Sequence, residues 1–125
     1  MHKLCRIDIS RSEKLHEKIR SFIAQLKTQI NIKRVYLFGS VARNDFNEGS
    51  DIDIAIIGDF NERFLDRADR ILAMTDLPVE PLCYTEKEFD EMKRKGNQFV
   101  KEILKGKLLF NSEEEGKTAG NKILP

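Results

Sequence analysis

The sequence predicts an α/β domain in which a short mixed β-sheet is flanked by α-helices. Two stretches, 10–30 and 61–74, carry apolar residues at steps of three and four, the spacing of an amphipathic helix. Two shorter stretches, 34–38 and 51–57, are rich in the β-branched and aromatic residues that favour strands. Helices and strands that alternate along one short chain are expected to pack in layers around a common core.

The chain has room for one domain. Its 125 residues, 40% of them hydrophobic, suit a single modest core. Neither an internal repeat nor a linker interrupts residues 1–110, which we expect to form the domain. Residues 111–125 lack apolar periodicity, so a flexible C-terminal tail is predicted there.

The first helix is expected to begin at a cap formed by Ser10 or Ser12. The strand over 34–38 is stopped by Gly39, and the polar residues 42–50 lead through a loop or a short helix into the second strand. The apolar face of the first helix consists of Leu15, Ile19, Phe22, Leu26 and Ile30.

The second helix and a third strand follow. The helix over 61–74 is expected to be capped by Asp59 or Asn61. Residues 78–84 predict a third strand, in which Pro81 cannot donate a ladder hydrogen bond. That strand is therefore expected at a sheet edge or at a bulge.

Two further helices are predicted after the third strand. Thr85-Glu-Lys-Glu88 has the pattern of a capping box, in which the Thr hydroxyl and the Glu carboxylate bind amides at a helix start. A last helix is expected from about residue 97 to Gly106, because glycine is a common C-terminal stop. The residues expected to face inward from this helix are Phe99, Val100, Ile103 and Leu104.

The charge balance argues against a nucleic-acid partner. Lys and Arg number 22 against 21 Asp and Glu, a formal net charge of +1, which leaves no surplus to hold a phosphate backbone. Cys5 and Cys83 are expected to be reduced thiols, because the sequence has neither a secretory leader nor a disulfide pattern. The longest uncharged apolar run, 54–58, is too short to cross a bilayer. We therefore expect a cytoplasmic protein without a membrane span.

The residues that carry chemistry lie at the ends of the first two strands. Gly39 can take backbone angles closed to other residues, and it lets a phosphate approach the amides of the turn. Ser40 adds a hydroxyl donor, and a helix that begins there would point its N-terminal amides at an anion. Asp51 and Asp53 are two residues apart in a strand, so both carboxylates leave the same face, roughly 7 Å apart along the strand.

Two carboxylates on one face repel each other unless a cation lies between them. Mg²⁺ suits such a pair, because it binds a few carboxylate oxygens and completes its shell with water and substrate phosphates. Two such ions could activate an attacking hydroxyl and stabilise a pyrophosphate leaving group. A Gly-Ser turn and an Asp-x-Asp strand start are each common as ordinary structure, but their succession in strand, turn and strand order favours a nucleotide site.

The stretch from about 35 to 57 resembles the nucleotidyltransferase signature of the DNA polymerase β superfamily. That signature is a hydrophobic strand, Gly-Ser, a spacer, and Asp-hydrophobic-Asp-hydrophobic. It is matched here by Leu37-Phe-Gly-Ser-Val-Ala-Arg43 and Gly49-Ser-Asp-Ile-Asp-Ile54. Ala42-Arg43 and Ser50 are similar to the minimal nucleotidyltransferases of archaea and bacteria, which often occur beside a helical HEPN-type partner.

The resemblance implies a transfer reaction that depends on metal ions. A nucleoside monophosphate would move from a nucleoside triphosphate, with ATP expected, to a hydroxyl group, with two Mg²⁺ ions bound. Asp51 and Asp53 would hold the metal, and the family implies a third carboxylate on a later strand that serves as metal ligand and catalytic residue. Glu80 is the candidate for that position, and its alternative is a surface glutamate on an edge strand.

The resemblance also assigns the nucleotide contacts. Gly39 and Ser40 would hold the triphosphate, and Arg43 and Ser50 are predicted to contact the nucleotide as well. The planar guanidinium of Arg43 suits triphosphate oxygens and a neighbouring acid equally, so both pairings stay open.

The family further implies the acceptor, a hydroxyl on a HEPN-type partner protein, which would make this chain the antitoxin of a pair. An alternative function is a non-catalytic nucleotide-binding antitoxin that neutralises its partner by contact. An antibiotic-modifying or nucleic-acid-tailing transferase is a third. The sequence leaves the base, the acceptor and the oligomeric state open.

Overall fold

A computed structural model of the protein describes residues 3–47 and 49–113, with side chains described from residue 12 onward. Within these residues, helices and strands alternate in the first half and a helical pair follows the third strand. In chain order the elements are α1 (Lys3–Gln29), β1 (Ile32–Phe38), α2 (Gly39–Ala42), β2 (Ile52–Gly58), α3 (Phe64–Leu72), β3 (Val79–Tyr84), α4 (Glu86–Arg94), α5 (Gln98–Leu104) and β4 (Lys107–Asn111).

The described strands form one mixed sheet in the order β3-β2-β1-β4. β1 pairs antiparallel with both β2 and β4, whereas β2 pairs parallel with β3. A parallel pair needs a crossover connection, and α3 supplies it between β2 and β3. The prediction of a short mixed sheet flanked by helices is confirmed.

Both faces of the sheet are buried, which the sequence analysis did not predict. Ile52, Ile54 and Ile56 pack into a core shared with α1, as their alternation indicates. Ala55 and Ile57 point to the other face and pack into a second core shared with α4 and α5. The run from 52 to 57 is therefore apolar on both faces except at one position, as is typical of a strand covered on both sides.

The two edges of the sheet are formed by β3 and β4. Pro81 lies in the edge strand β3 opposite Ile54, so the predicted edge position is confirmed. Residues 107–110, for which no element was predicted, begin β4, which pairs with β1 through Asn111. The predicted tail over 111–125 thus starts inside β4, and its residues from 114 onward lie outside the described part of the chain.

The predicted start of the first helix is wrong. α1 begins at Lys3, so Ser10 and Ser12 lie inside the helix and do not cap it. Residues 3–29 contain neither Gly nor Pro, and serine alone does not stop a helix that can continue through it.

The predicted cap of α3 is also wrong. The helix begins at Phe64, later than the apolar spacing suggested, and no side chain caps it. Asp59 instead accepts a hydrogen bond from Nδ2 of Asn31 at 2.6 Å, and its backbone amide donates to the Asn31 carbonyl. Asp59 thus joins the end of β2 to the turn before β1, and neither it nor Asn61 caps the helix.

The predicted capping box at α4 is confirmed, and it belongs to a larger network. The Thr85 hydroxyl accepts from the Glu88 amide at 3.1 Å, and the Glu88 carboxylate accepts from the Thr85 amide at 2.9 Å. The same carboxylate accepts two hydrogen bonds from Arg67, at 2.7 and 3.2 Å, although Arg67 is buried. A buried guanidinium needs such a bidentate partner, so this contact fixes α3 against α4.

Cys83 is buried and unpaired. Burial raises the pKa of its thiol to about 12, so the group is protonated and unreactive at neutral pH. Among the described residues, no helix combines the length and apolar character that a membrane span needs.

Candidate active site

β1 ends at a turn that suits glycine for two reasons. Gly39 has φ of +75°, in the left-handed region, directly after the extended residue Phe38. A Cβ atom placed on Gly39 would overlap Oδ2 of Asp53 and lie 3.0 Å from its Cγ. The backbone of the turn therefore lies directly against the Asp53 carboxylate, with no room for a side chain between them.

The turn continues as α2, a single turn of helix. The Arg43 amide donates to the Gly39 carbonyl at 3.1 Å and closes this turn. Val41 and Ala42 are buried and anchor α2 to the core, whereas Gly39 and Ser40 are only half-buried. The first amides of any helix lack an acceptor within the helix, so those of α2 are suited to an anion.

Asp51 and Asp53 flank the first residue of β2. Asp51 precedes the strand and is exposed, while Asp53 lies within the strand and is half-buried. Ile52 between them is 1% exposed and points into the core on the α1 side. Strand alternation therefore directs both carboxylates to the opposite face.

The strand register brings the third predicted carboxylate to the same place. Asp53 lies opposite Phe38 of β1 on one side and opposite Glu80 of β3 on the other. Residues that are directly opposite on neighbouring strands share a face, with Cβ atoms roughly 5 Å apart. Glu80 was a candidate by its position in the sequence alone, and the structure places it beside Asp53.

Asp51 and Asp53 act on the Glu80 carboxylate. The negative charge of Asp51, followed by the hydrogen-bonding contact with Asp53, raises the pKa of Glu80 above its usual value. Nevertheless, the described residues contain no group of three or more His, Cys, Asp or Glu side chains that is arranged to hold a metal ion as it stands. The raised pKa of Glu80 fits carboxylates that come near one another and repel.

A divalent cation would fit this donor set. Carboxylate oxygens are the ligands that Mg²⁺ prefers, and a cation between like charges removes their repulsion. The raised pKa of Glu80 is the local sign of that repulsion. Asp51, Asp53 and Glu80 are therefore suited in charge and position to a shared cation.

The metal-free protein is expected to lose stability as the pH rises through the folded-state pKa of Glu80. A carboxyl group whose pKa is raised by folding contributes its full stabilisation below its unfolded pKa, and loses it as the pH passes the higher folded value. Thermal unfolding in excess chelator, from about pH 4 to about pH 8, would measure this loss.

Two matched variants separate this effect from general acid sensitivity. Glu80→Gln should remove this part of the pH dependence, whereas Glu91→Gln, at an exposed carboxylate of α4, should retain it. If the profile of Glu80→Gln coincides with that of the unaltered protein, the carboxylate cluster does not control stability.

Arg43 and Ser50 take part in local contacts at the rim of the site. Nε of Arg43 lies 3.5 Å from Oδ2 of Asp45, and both side chains are mostly exposed. The structure thus contains the pairing with a neighbouring acid, but an exposed ion pair is worth only about 0–1 kcal/mol and can yield to another anion. The Ser50 hydroxyl accepts from the Asn47 amide at 3.0 Å, which closes the turn before Asp51. Nucleotide contacts by Arg43 and Ser50 stay predictions.

A cleft of about 480 Å³ opens beside the carboxylates. Asp53 and Glu80 supply its polar side chains, and the rest of its wall is apolar. The apolar wall consists of Phe38, Leu72, Val79, Pro81, Leu82 and Phe99.

The part that Phe99 has in this cleft was not predicted from the sequence. Phe99 and Leu104 were expected to face inward, but they are 44% and 37% exposed. Only Val100 and Ile103 of that apolar group are fully buried, at a spacing of three residues on one face of α5. α5 has only seven residues, too few for helical spacing in the sequence to show that Phe99 and Leu104 lie outside the core.

A larger groove of about 630 Å³ lies elsewhere, between α1 and residues 75–78. It contains none of the residues Gly39, Asp51, Asp53 and Glu80. We do not assign the reaction site to this larger groove, because the groups suited to phosphate and metal lie around the smaller cleft.

Comparison with known proteins agrees with the fold and the signature. Residues 17–115 match the family model described as polymerase β, nucleotidyltransferase. A chain of Methanocaldococcus jannaschii named "Putative protein adenylyltransferase MJ0604" is 34% identical over 76 residues, which cover 58% of this chain and 76% of that relative. A solved structure described as "a putative nucleotidyltransferase from Sulfolobus solfataricus" superposes with a TM-score of 0.56 at 24% identity, covering 66% of this chain and 78% of that chain.

The chain belongs to the polymerase β nucleotidyltransferase family, because the family model spans most of its length. The matched region begins within α1 and runs past β4, so it includes each of the three strands that carry the candidate site. The chain is a nucleotidyltransferase, as the sequence signature predicted.

Proposed function

We propose that this nucleotidyltransferase is a metal-dependent adenylyltransferase that transfers AMP from ATP to a hydroxyl group of a protein. The observation that carries the proposal is the order of groups across three adjacent strands. The Gly39 turn follows β1, Asp53 lies in β2 and Glu80 lies in β3, each beside the next. Such an order suits a triphosphate, a cation and an acceptor in succession.

The residues of the chain have distinct roles in this reaction. The amides of the Gly39 turn and the Ser40 hydroxyl bind the triphosphate, and Asp51 and Asp53 would hold divalent cations, with two Mg²⁺ expected. When bound, these cations supply positive charge that neutralises the triphosphate and the pyrophosphate leaving group. Glu80 accepts the proton of the attacking hydroxyl as a general base.

The reaction forms one bond and breaks one. The acceptor oxygen bonds to the α-phosphorus, the bond between that phosphorus and the oxygen of the β-phosphate breaks, and pyrophosphate leaves. Glu80 lies on the far side of Asp53 from the Gly39 turn, which suits an acceptor that enters opposite the leaving group. The exposed rim contacts of Arg43 leave its guanidinium able to bind a phosphate oxygen.

The acceptor class rests on resemblance. The adenylyltransferase name of the Methanocaldococcus relative includes a protein substrate, which favours a protein acceptor here. The minimal nucleotidyltransferase signature favours a HEPN-type partner as that protein, with this chain as the antitoxin that silences it in the cytoplasm. Glu80 is exposed on the edge strand β3 and lines the cleft, so a partner residue can reach it.

ATP binding is expected to require a divalent cation. Three carboxylates that face a triphosphate repel it, and only a bridging cation reverses that repulsion. Calorimetric titration with ATP should give strong heat in Mg²⁺ and little or none in excess chelator. Equal affinity with and without Mg²⁺ would count against a site built on Asp51 and Asp53.

Transfer itself is tested with the protein, ATP labelled at the α-phosphate, Mg²⁺ and a HEPN-type protein encoded beside it. The expected result is covalent label on the partner, with a mass increase of one or more adenylyl groups and none in chelator. Inhibition of the partner by contact without any covalent label would contradict the proposal and favour a non-catalytic binding module. Label on RNA or on a small molecule in place of protein would contradict the acceptor class alone.

A further inference from the structure

We propose that Phe99 is the platform on which the nucleobase of the substrate stacks, an assignment that rests on the proposed nucleotide site. Phe99 is 44% exposed, although it lies in a helix whose neighbours Val100 and Ile103 are fully buried. A large aromatic ring that stays half exposed to water contributes less to the stability of the fold than a buried ring does. Its position in the cleft with Asp53 suggests a use for the exposed ring.

The ring is held in place before any ligand binds. The side chain of Asn97 accepts hydrogen bonds from the amides of Phe99 and Val100, at 2.8 and 3.1 Å, and so fixes the first turn of α5. The Phe99 ring packs against the Phe38 ring with centroids 5.9 Å apart and planes at 89°, an edge-to-face contact. An aromatic wall that is already ordered loses little freedom when a base stacks on it.

The order of groups across the sheet distinguishes the two ends of the cleft. Phe38 directly precedes Gly39, so the pair of Phe38 and Phe99 stands at the end of the cleft where the triphosphate is expected. Glu80 and Leu82 belong to β3, on the opposite side of β2 from Phe38, where the acceptor is expected. The aromatic end therefore suits the base and the aliphatic end suits the acceptor.

The side chains that line the cleft predict how well the protein distinguishes one nucleobase from another. The polar side chains that line the cleft are those of Asp53 and Glu80, and the wall near Phe99 is apolar. Stacking on an aromatic ring tolerates every base, because each base has a π-face. We expect ATP and GTP to bind with affinities within about tenfold of each other, because no lining side chain near Phe99 reads their different edges.

Loss of the platform should weaken nucleotide binding but not phosphate binding. Phe99→Leu keeps the apolar bulk without a π-face, and it is expected to raise the Kd for ATP with Mg²⁺ by roughly 5- to 100-fold, the range for one lost stacking contact. Phe99→Tyr keeps the ring and should bind like the unaltered protein. The Kd for inorganic tripolyphosphate with Mg²⁺ should be unchanged in both variants, because that probe has no base.

Fluorescence gives a direct signal, because the sequence contains no tryptophan. Phe99→Trp introduces a single indole at the proposed platform, and Leu104→Trp introduces one at another exposed position of α5 that does not line the cleft. ATP with Mg²⁺ should quench the indole of Phe99→Trp strongly, whereas tripolyphosphate should not. Neither ligand should quench Leu104→Trp.

The outcomes separate this inference from the proposed function. If ATP binds Phe99→Leu as tightly as the unaltered protein and leaves the Phe99→Trp emission unchanged, the platform is overturned while the nucleotide site stands. If neither ATP nor tripolyphosphate binds the unaltered protein in Mg²⁺, the proposed function fails and the platform fails with it. If Phe99→Leu does not fold, the emission of Phe99→Trp decides the question, because emission that ATP with Mg²⁺ leaves unchanged overturns the platform.

Discussion

Replacement of Asp53 by asparagine is expected to abolish nucleotidyl transfer while the protein stays folded. The amide has nearly the shape of the carboxylate, and the buried area of β2 comes from isoleucines such as Ile52 and Ile54. A neutral amide oxygen is a poorer Mg²⁺ ligand. Changes to residues that hydrogen-bond to metal ligands lower metal affinity or activity by about 10- to 100-fold. Loss of a ligand itself should therefore lower the rate of transfer by at least about a hundredfold. Steady-state transfer of labelled AMP would measure the effect.

Asp51→Asn is expected to behave in the same way, because Asp51 is the second aspartate proposed to hold the metal and its charge acts on Glu80 as well. Both variants should be at least as stable as the unaltered protein without metal, since each removes one like charge from the cluster. Asp90→Asn is the matched control, because Asp90 is an exposed aspartate of α4 whose partner is Arg34. A variant of Asp53 that unfolds would identify that carboxylate as a structural partner, and one that keeps full activity would exclude it from the site.

Gly39→Ala is expected to reduce both stability and transfer. Alanine in the left-handed region costs roughly 1–2 kcal/mol. In addition, the new Cβ would overlap the Asp53 carboxylate, so the side chain of Asp53 or the turn itself must shift. A displacement of a catalytic group by even about 1 Å can cost roughly a hundredfold in rate. Thermal unfolding and the transfer assay, measured on the same preparation, would report the two effects separately.

The chain offers a close control for that substitution. Gly96, at the end of α4, has φ of +72°, almost the same as Gly39, but a Cβ placed on it would meet no atom within 4 Å. Gly96→Ala should therefore incur a similar backbone cost and keep its transfer activity. Equal transfer activity in Gly39→Ala and Gly96→Ala would contradict the close packing of the turn on Asp53.

The sequence predicted those parts of the site that lie close together in the chain. Gly39 and Asp53 were recognisable because a left-handed turn favours glycine and because paired carboxylates at a strand start are expensive without a cation. The edge position of Pro81 followed from its missing amide hydrogen, and the capping box at Thr85 followed from hydrogen-bonding groups three residues apart.

Features that depend on contacts distant in sequence could not be predicted. Whether Phe99 faces the core or the cleft depends on how α5 packs against β1, which helical spacing within seven residues does not define. Arg67 can be buried because the Glu88 carboxylate, 21 residues later in the sequence, accepts its hydrogen bond. The same carboxylate also accepts from the Thr85 amide. The segment 107–111 is short and mixed in character. A strand could be assigned to it only with the knowledge that β1 has a free edge beside it.

The helix ends that were placed wrongly have a common cause. Ser12 and Asp59 are residue types that often cap helices, but each has another partner in the folded chain. The Ser12 hydroxyl donates to the side chain of Asn44 at 3.3 Å, and Asp59 binds Asn31. Capping preference is a local tendency, and these tertiary contacts override it.

The proposed function requires Asp51 and Asp53 to hold divalent cations, with Glu80 beside them, against a nucleotide whose triphosphate lies on the Gly39 turn. Diffraction from crystals grown with Mn²⁺ and a non-hydrolysable ATP analogue, with anomalous data that locate manganese, tests it directly. We expect anomalous peaks in contact with the Asp51 and Asp53 carboxylates and with the phosphates of the analogue. Manganese absent from those carboxylates, or an analogue bound in the groove between α1 and residues 75–78, would contradict it.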